Sequence, residues 1–275
     1  MDENKKDVKR LLLLLIASIS IIVLIFCIVK LTIYKLSSFK ATNDVKKLEK
    51  EIDNAVTSVE TDTSSANNQG TSKNSDTSVK QLKILDKYAS LHSQNSDFSG
   101  WIRISGTNVS YPVMKNESDA EYYLHRNFEK EYSDEGLPFI DERCSIKKPS
   151  TNIIIYGHNM KNGDMFADLL KYEDKEYYKK HSTISFDTLY SESEYQIISV
   201  FRTDVSRDSD EDFRFYEFTD ETYAGELASY LKSLKEVSIY NISFDESKVS
   251  ELLTLSTCEY TKKDGRFVVV AAKVK

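Results

Sequence analysis

Cysteine is scarce in this chain of 275 residues, with three in all. Cys27 lies in an apolar run, which leaves Cys144 and Cys258 for the polar remainder and excludes a disulfide framework. The histidines, His92, His125, His158 and His181, do not cluster with cysteine at ligand spacing, so no structural metal is expected. There is no P-loop, no GxGxxG fingerprint and no internal repeat, and no cofactor is expected. An extended basic patch is also missing. The formal net charge is -7 with acids and bases interspersed, which argues against nucleic acid as a partner.

What the chain does have is one long hydrophobic run. Residues 1–10 are polar and read as a cytoplasmic tail, and Leu11 to Val29 follow without a charge, long enough to cross a hydrocarbon core as a single helix. A cleaved signal peptide is the competing reading, but the run exceeds the usual apolar region of such peptides and lacks a clear small-x-small cleavage site. Lysines flank both ends, Lys5, Lys6 and Lys9 before and Lys30, Lys35 and Lys40 after, so charge alone does not orient the span.

Residues 30–78 read as a stalk and tether. Val45, Leu48, Ile52 and Val56 recur at helical spacing, and Thr57 to Ser78 is nearly free of large apolar residues, too polar to repay its ordering entropy. A folded body is expected over 79–275, opening with a helical stripe of Val79, Leu82, Ile84, Leu85, Tyr88, Ala89 and Leu91. Short β-like runs follow at Trp101 to Ile104, Val109 to Val113, Leu137 to Ile140, Asn152 to Tyr156, Tyr195 to Phe201, Leu252 to Thr257 and Arg266 to Val274. Helical stretches interrupt them near Asp164 to Tyr172 and Asp220 to Leu234. The body is therefore mainly β (α+β), a closed sheet or a sandwich.

Two of those runs end on reactive side chains. Cys258 follows LLTLST and precedes a polar turn, and His158 follows NIIIY through Gly157. A lone cysteine is more often a small core hydrophobe, but a thiol beside an imidazolium becomes a thiolate nucleophile whose partner returns the proton to a leaving amine. Arg266 opens the last apolar run directly after the Lys262-Lys263-Asp264-Gly265 turn, which sets it near Cys258 on an adjacent antiparallel strand. Its guanidinium would suit an oxyanion; the usual fate of such an arginine is a solvated strand edge. The hairpin register, and so whether both side chains share a face, stays open.

TLSTC at Thr254 to Cys258, YGHNM at Tyr156 to Met160 and Arg266 opening the final strand together resemble the sortases. YGHNMKNGDMFADLLKY, TLSTCEY and GWIRISGTNVSYPVM are most similar to class B of that family. The resemblance covers about Val79 to the C-terminus. It implies a closed eight-stranded β-barrel with flanking helices, preceded by one transmembrane helix, and a cysteine transpeptidase on the surface of Gram-positive bacteria. Such an enzyme cleaves a C-terminal sorting motif of a secreted protein after threonine, through a thioacyl on Cys258. It then transfers the acyl group to an amine of a peptidoglycan cross-bridge or its lipid-linked precursor. The same resemblance implies His158 as general acid and base, Arg266 on the substrate carbonyl or oxyanion with help from the Glu259 backbone N–H, Ser256 and Glu259 as substrate contacts, and a groove lined by the segment between Phe201 and Asn241. With such a substrate, the N-terminus is cytoplasmic and the catalytic domain extracellular. Cys144 is expected to be buried and inert.

Competing readings are a hydrolytic cysteine protease at the cell surface and a non-catalytic adhesion module whose Cys258 is core. A pilus-polymerising sortase is less favoured, since Lys275 follows the last strand without a second hydrophobic span.

Overall fold

The computed structural model describes residues 3–63, 82–206, 213–262 and 264–275, and the chain divides into two units, Met1–Lys46 and Lys47–Lys275. The run Leu11 to Val29 is helical, within α1 (Glu3–Thr63), and its large apolar side chains are exposed. By length and composition this helix is a candidate membrane span.

Within the second unit, α1 continues to Thr63 and buries Leu48 and Ile52. The Glu49 carboxylate accepts from Arg103 at 2.8 Å and Ser110 at 2.7 Å, and Glu51 accepts from Ser90 and Gln94. So Thr57–Thr63, expected as the start of the tether, is helix, and the rest of that tether lies outside the described residues. The expected opening stripe is shorter than its periodicity suggested. Helix α2 spans Asp86–Gln94 and buries Tyr88 and Leu91, whereas Leu82 stays exposed.

Eight strands close a barrel in the order β1-β2-β3-β4-β7-β8-β6-β5. They are β1 (Phe98–Arg103), β2 (Ser110–Met114), β3 (Phe139–Ile140), β4 (Asn152–Tyr156), β5 (Thr183–Thr188), β6 (Glu194–Asp204), β7 (Leu252–Cys258) and β8 (Gly265–Lys273). Closure leaves no free sheet edge, and it explains why β4, β7 and β8 are apolar almost without interruption: one face fills the barrel and the other is covered. Ile153, Ile154, Ile155, Leu253, Leu255 and Val268 to Ala271 are all buried.

Strand β5 was not foreseen. It carries only Ile184 and Phe186 as large apolar residues on alternate positions, and pairs antiparallel with both β1 and β6. The stretch expected as helix near Asp164 is a 3-10 turn, Ala167–Glu173, followed by α3 (Lys175–Lys180), whose first turn is capped by Asp174 accepting from the Glu176 N–H at 2.8 Å. Helix α4 (Glu226–Val237) buries Tyr230, Leu231 and Leu234, and its Leu234 carbonyl accepts from Ser199 of β6 at 2.8 Å.

Candidate active site

The strand pairings decide which side chains meet. β4 and β7 run parallel with Tyr156 opposite Ser256, and β7 and β8 run antiparallel with Cys258 opposite Arg266. Directly opposed residues of a ladder project to one face, so the register left open above places the thiol and the guanidinium side by side. Ser256, two residues before Cys258 on the same strand, shares that face.

Beyond β4 the parallel contact continues into the loop. The Gly157 N–H donates to the Ser256 carbonyl at 3.1 Å, Thr257 Oγ1 donates to the Gly157 carbonyl at 2.7 Å, and Asn159 Nδ2 donates to the Cys258 carbonyl at 3.0 Å. The Tyr260 hydroxyl returns to the Asn159 carbonyl at 3.1 Å. These bonds lace the segment bearing His158 to the end of the strand bearing Cys258. Gly157 is required by space, because a Cβ there would lie 2.7 Å from the ring of the fully buried Phe166.

His158 is half-buried, and its Nε2 lies 2.8 Å from the Leu124 carbonyl oxygen. A carbonyl only accepts, so Nε2 carries the hydrogen and Nδ1 is left to take or give a proton. Burial lowers the pKa of His158; the Leu124 hydrogen bond opposes this and the neighbouring His125 adds to it.

His158, Cys258, Arg266 and Ser256 all line one cleft of about 590 Å³, within the size range of small-ligand sites. Its remaining lining comes from Ala120, Glu121 and Leu124, from Phe139, Asp141, Glu142 and Arg143, and from Tyr156, Gly157 and Thr257. Cys258 and Arg266 are partly exposed, open to that cleft rather than sealed in the core. Ser256 is 1% exposed, and its Oγ has no hydrogen-bond partner among the described residues. A buried hydroxyl with nothing to bind, on the floor of a cleft, is suited to a peptide group that enters it.

Glu259 is placed differently from the other expected residues. Its carboxylate accepts from the Thr261 N–H at 3.1 Å and the Thr261 hydroxyl at 2.5 Å, and it is not among the cleft-lining residues. Its backbone N–H, expected as an oxyanion donor, is spent on the Gly265 carbonyl at 2.9 Å, the first bond of the turn into β8. Likewise no described residue between Phe201 and Asn241 lines this cleft. That segment packs its aromatic residues on one another, with Phe218 and Tyr230 stacked at 4.5 Å.

Three parts of the site escaped sequence reasoning. One is the wall from the 3-10 turn Tyr122–His125 and the residues just before it. Another is Asp141, which accepts from Arg143 Nε at 2.8 Å, Arg143 Nη2 at 2.6 Å and the Tyr156 hydroxyl at 2.9 Å. Burial alone would raise the pKa of Asp141, but the Arg143 and Tyr156 hydrogen bonds outweigh it and hold the carboxyl below its usual range. The third is Asn159. Only Tyr156 and Asn159, inside YGHNM, carried a signal. The other free thiol of this unit, Cys144, is buried; its Sγ donates to the Asn152 carbonyl at 3.2 Å, and burial pushes it up to about 11.

Residues 102–274 match the sortase domain family. A sortase B of Listeria monocytogenes is 36% identical over 190 residues, 68% of this chain and 74% of the relative. The chain belongs to the sortase family, in class B. A sortase B of Staphylococcus aureus is similar at 32% identity over 202 residues, 71% of this sortase and 78% of that protein. A solved Staphylococcus aureus sortase B–substrate complex matches with a TM-score of 0.68 at 26% identity, covering 87% of this chain and 99% of that one. The closed eight-stranded barrel with flanking helices is the sortase fold, and this sortase is a cysteine transpeptidase of cell-wall sorting.

Proposed function

We propose that this sortase cuts a C-terminal sorting motif after threonine and passes the acyl group to a peptidoglycan amine, with Cys258 as nucleophile, His158 as general acid and base, and Arg266 as the oxyanion ligand. The observation that carries this assignment is the cross-strand pair Cys258 and Arg266, opening on the same cleft as His158.

In the first half-reaction the Cys258 thiolate attacks the threonine carbonyl carbon. The negative charge moves to oxygen, where the Arg266 guanidinium donates to it. Collapse breaks the C–N bond, and the His158 imidazolium gives its Nδ1 proton to the leaving amine, leaving a thioacyl enzyme and a neutral imidazole. In the second half-reaction the acceptor amine adds to the thioester. Neutral His158 takes the amine proton, the C–S bond breaks, and the thiolate and imidazolium return with a new amide formed. Ser256 Oγ, unpartnered on the cleft floor, supports a role as donor to the sorting peptide's backbone.

The sortase B–substrate complex among its relatives supports the substrate class. Since sorting takes place at the cell surface, the candidate span in α1 fits an anchor with its N-terminus in the cytoplasm and the barrel outside. A panel of fluorogenic sorting peptides, tested with the protein and its Cys258→Ala variant, decides the matter. Cleavage by the parent alone, with an amide product when an amine is added, is expected; cleavage by both proteins, or by neither on any peptide, sinks the assignment. A product released only to water, whatever amine is present, would favour a hydrolytic protease.

A further inference from the structure

The turn that offers its Leu124 carbonyl to His158 ends on a second imidazole. The ring of His125 stacks on His158 with centroids 5.4 Å apart and planes at 29°, and Tyr132 stacks on His125 at 6.2 Å and 25°. His125 is exposed and is not among the residues that line the cleft. Its place is nevertheless fixed: the His125 carbonyl accepts from the Ser133 N–H at 3.1 Å, and the Tyr123 carbonyl accepts from Leu137 at 3.0 Å. Gly136, at φ +56°, lets that chain pass so close that a Cβ would sit 2.3 Å from the Leu124 oxygen.

We propose that His125 is a positioning residue for the acid–base group: its stacked ring fixes the plane of the His158 imidazole, and its own proton opposes a second positive charge there, setting the acid limit of turnover. The proposal rests on the reading of His158 as the general acid and base.

One hydrogen bond at Nε2 leaves the ring free to pivot about that contact and swing Nδ1 away from the thiol. A ring packed on its face removes this freedom, and misplacement of a proton donor by about 1 Å is enough to cost orders of magnitude in rate. At the same closeness a charge on His125 repels a positive charge on His158. Burial and the charge of His125 both lower the His158 pKa. The remaining groups around His158 do not duplicate this. Arg266 is a fixed cation, Asp141 is neutralised by Arg143, Glu121 acts in the opposite sense, and Cys258 is the reaction partner. On the outer side, Tyr132 donates to Asp134 at 2.5 Å, and Arg126 is turned to the Tyr122 ring and the Lys130 carbonyl.

The test uses the full chain in detergent, with His125→Phe to keep a ring and remove the charge, and His125→Ala to remove both. Ring carbon–proton NMR signals, assigned with His158→Gln, are followed against pH beside kcat and KM on a fluorogenic sorting peptide. In His125→Phe the His158 signal should titrate at higher pH than in the parent, with the acid limb of kcat, set where the second half-reaction needs the neutral ring, moving the same way and kcat at neutral pH within about twofold. His125→Ala should lose on the order of tenfold in kcat with KM unchanged. An unmoved His158 titration and acid limb in His125→Phe overturns the proposal, as does a loss in KM rather than kcat in His125→Ala. Should His125→Ala melt early, the phenylalanine variant decides alone. Failure of the parent reading is separate, since it would appear as undiminished cleavage by His158→Gln, whatever the His125 variants do to the His158 NMR signal.

Discussion

Replacing Arg266 with lysine keeps the positive charge opposite Cys258 and removes the planar fork of donors, which isolates what the guanidinium geometry contributes. The cross-strand register fixes the Arg266 backbone directly beside that of Cys258, and Arg266 Nη1 donates to the Gly265 carbonyl at 3.0 Å, which sets the plane of the guanidinium. One of its five N–H groups is thereby spent and the others stay available to an oxyanion. An ammonium on a flexible stem has no such plane. Loss of one oxyanion donor costs roughly 2.7–4 kcal/mol, a factor of about 10² to 10³ in kcat. With its charge retained, Arg266→Lys should fall near the lower bound, about 10²-fold, and Arg266→Ala near about 10³-fold. KM should stay within about threefold, because the interaction forms only when charge develops on oxygen. Stability should hardly change. Arg266 is partly exposed and makes no ion pair among the described residues, so a surface-sized effect of about 0.5 kcal/mol, about 1–2 °C in Tm, is expected. Steady-state cleavage of a fluorogenic sorting peptide, beside a thermal melt, measures both. Equal loss in kcat and in binding, or a lysine variant within about threefold of the parent rate, would refute an oxyanion role.

A thiol reagent applied to the folded protein should modify Cys258 and abolish cleavage while Cys144, buried and with its pKa pushed up to about 11, stays unmodified until denaturant is added; peptide mapping that finds Cys144 labelled in the native state contradicts this. Asn152 is fully buried, with Nδ2 on the Phe218 carbonyl at 2.8 Å and Oδ1 accepting from Thr254 at 2.7 Å. Asn152→Ala strands two buried polar partners and should cost about 2–4 kcal/mol in urea unfolding; a cost under about 1 kcal/mol would mean that those groups find other partners. Since the fold lowers the His158 pKa, it favours the neutral ring. The stability gained from this is present in full above the unfolded value of about 6.5 and is lost as pH falls through the lower folded value. The stability gap between the parent and His158→Gln should therefore narrow on acidification, and a gap that widens in urea midpoints would reverse the sign argued here.

Much of the site was legible because sequence marks the ends of strands. Cys258, His158 and Arg266 each sit where an apolar run meets polar residues, and all three reach one cleft. Register was not legible. The same residues with a one-position slip in β7 and β8 would turn the thiol and the guanidinium to opposite faces, and no local pattern forbids that. β5 was hidden because two apolar residues among polar ones make a weak period. The wall from Ala120 to His125 was hidden for another reason. It enters the site through a backbone carbonyl, which no side-chain pattern reports, and through a ring contact between His125 and His158 that exists only after folding.

The spacing of the three groups follows from the topology. Antiparallel neighbours need only a short turn between them, so Cys258 and Arg266 are close in sequence as well as in space. Parallel neighbours need a crossover, so a His158 brought beside Cys258 by the β4 and β7 pairing must lie far upstream. In this chain the crossover contains β5, β6 and α4, and its links back to the start of β4 include the bonds from the Asn152 N–H to the Thr219 carbonyl, from Asn152 Nδ2 to the Phe218 carbonyl and from the Thr151 N–H to the Asp220 carboxylate. Those links lie at the far end of β4 from His158. Changes in the crossover beyond Thr219 therefore reach the end of β4 that bears His158 through the pairing of β4 with β7, whereas they reach Arg266 by a second route, from the Leu234 carbonyl of α4 to Ser199 of β6 and along the pairing of β6 with β8, where Thr203 lies opposite Arg266.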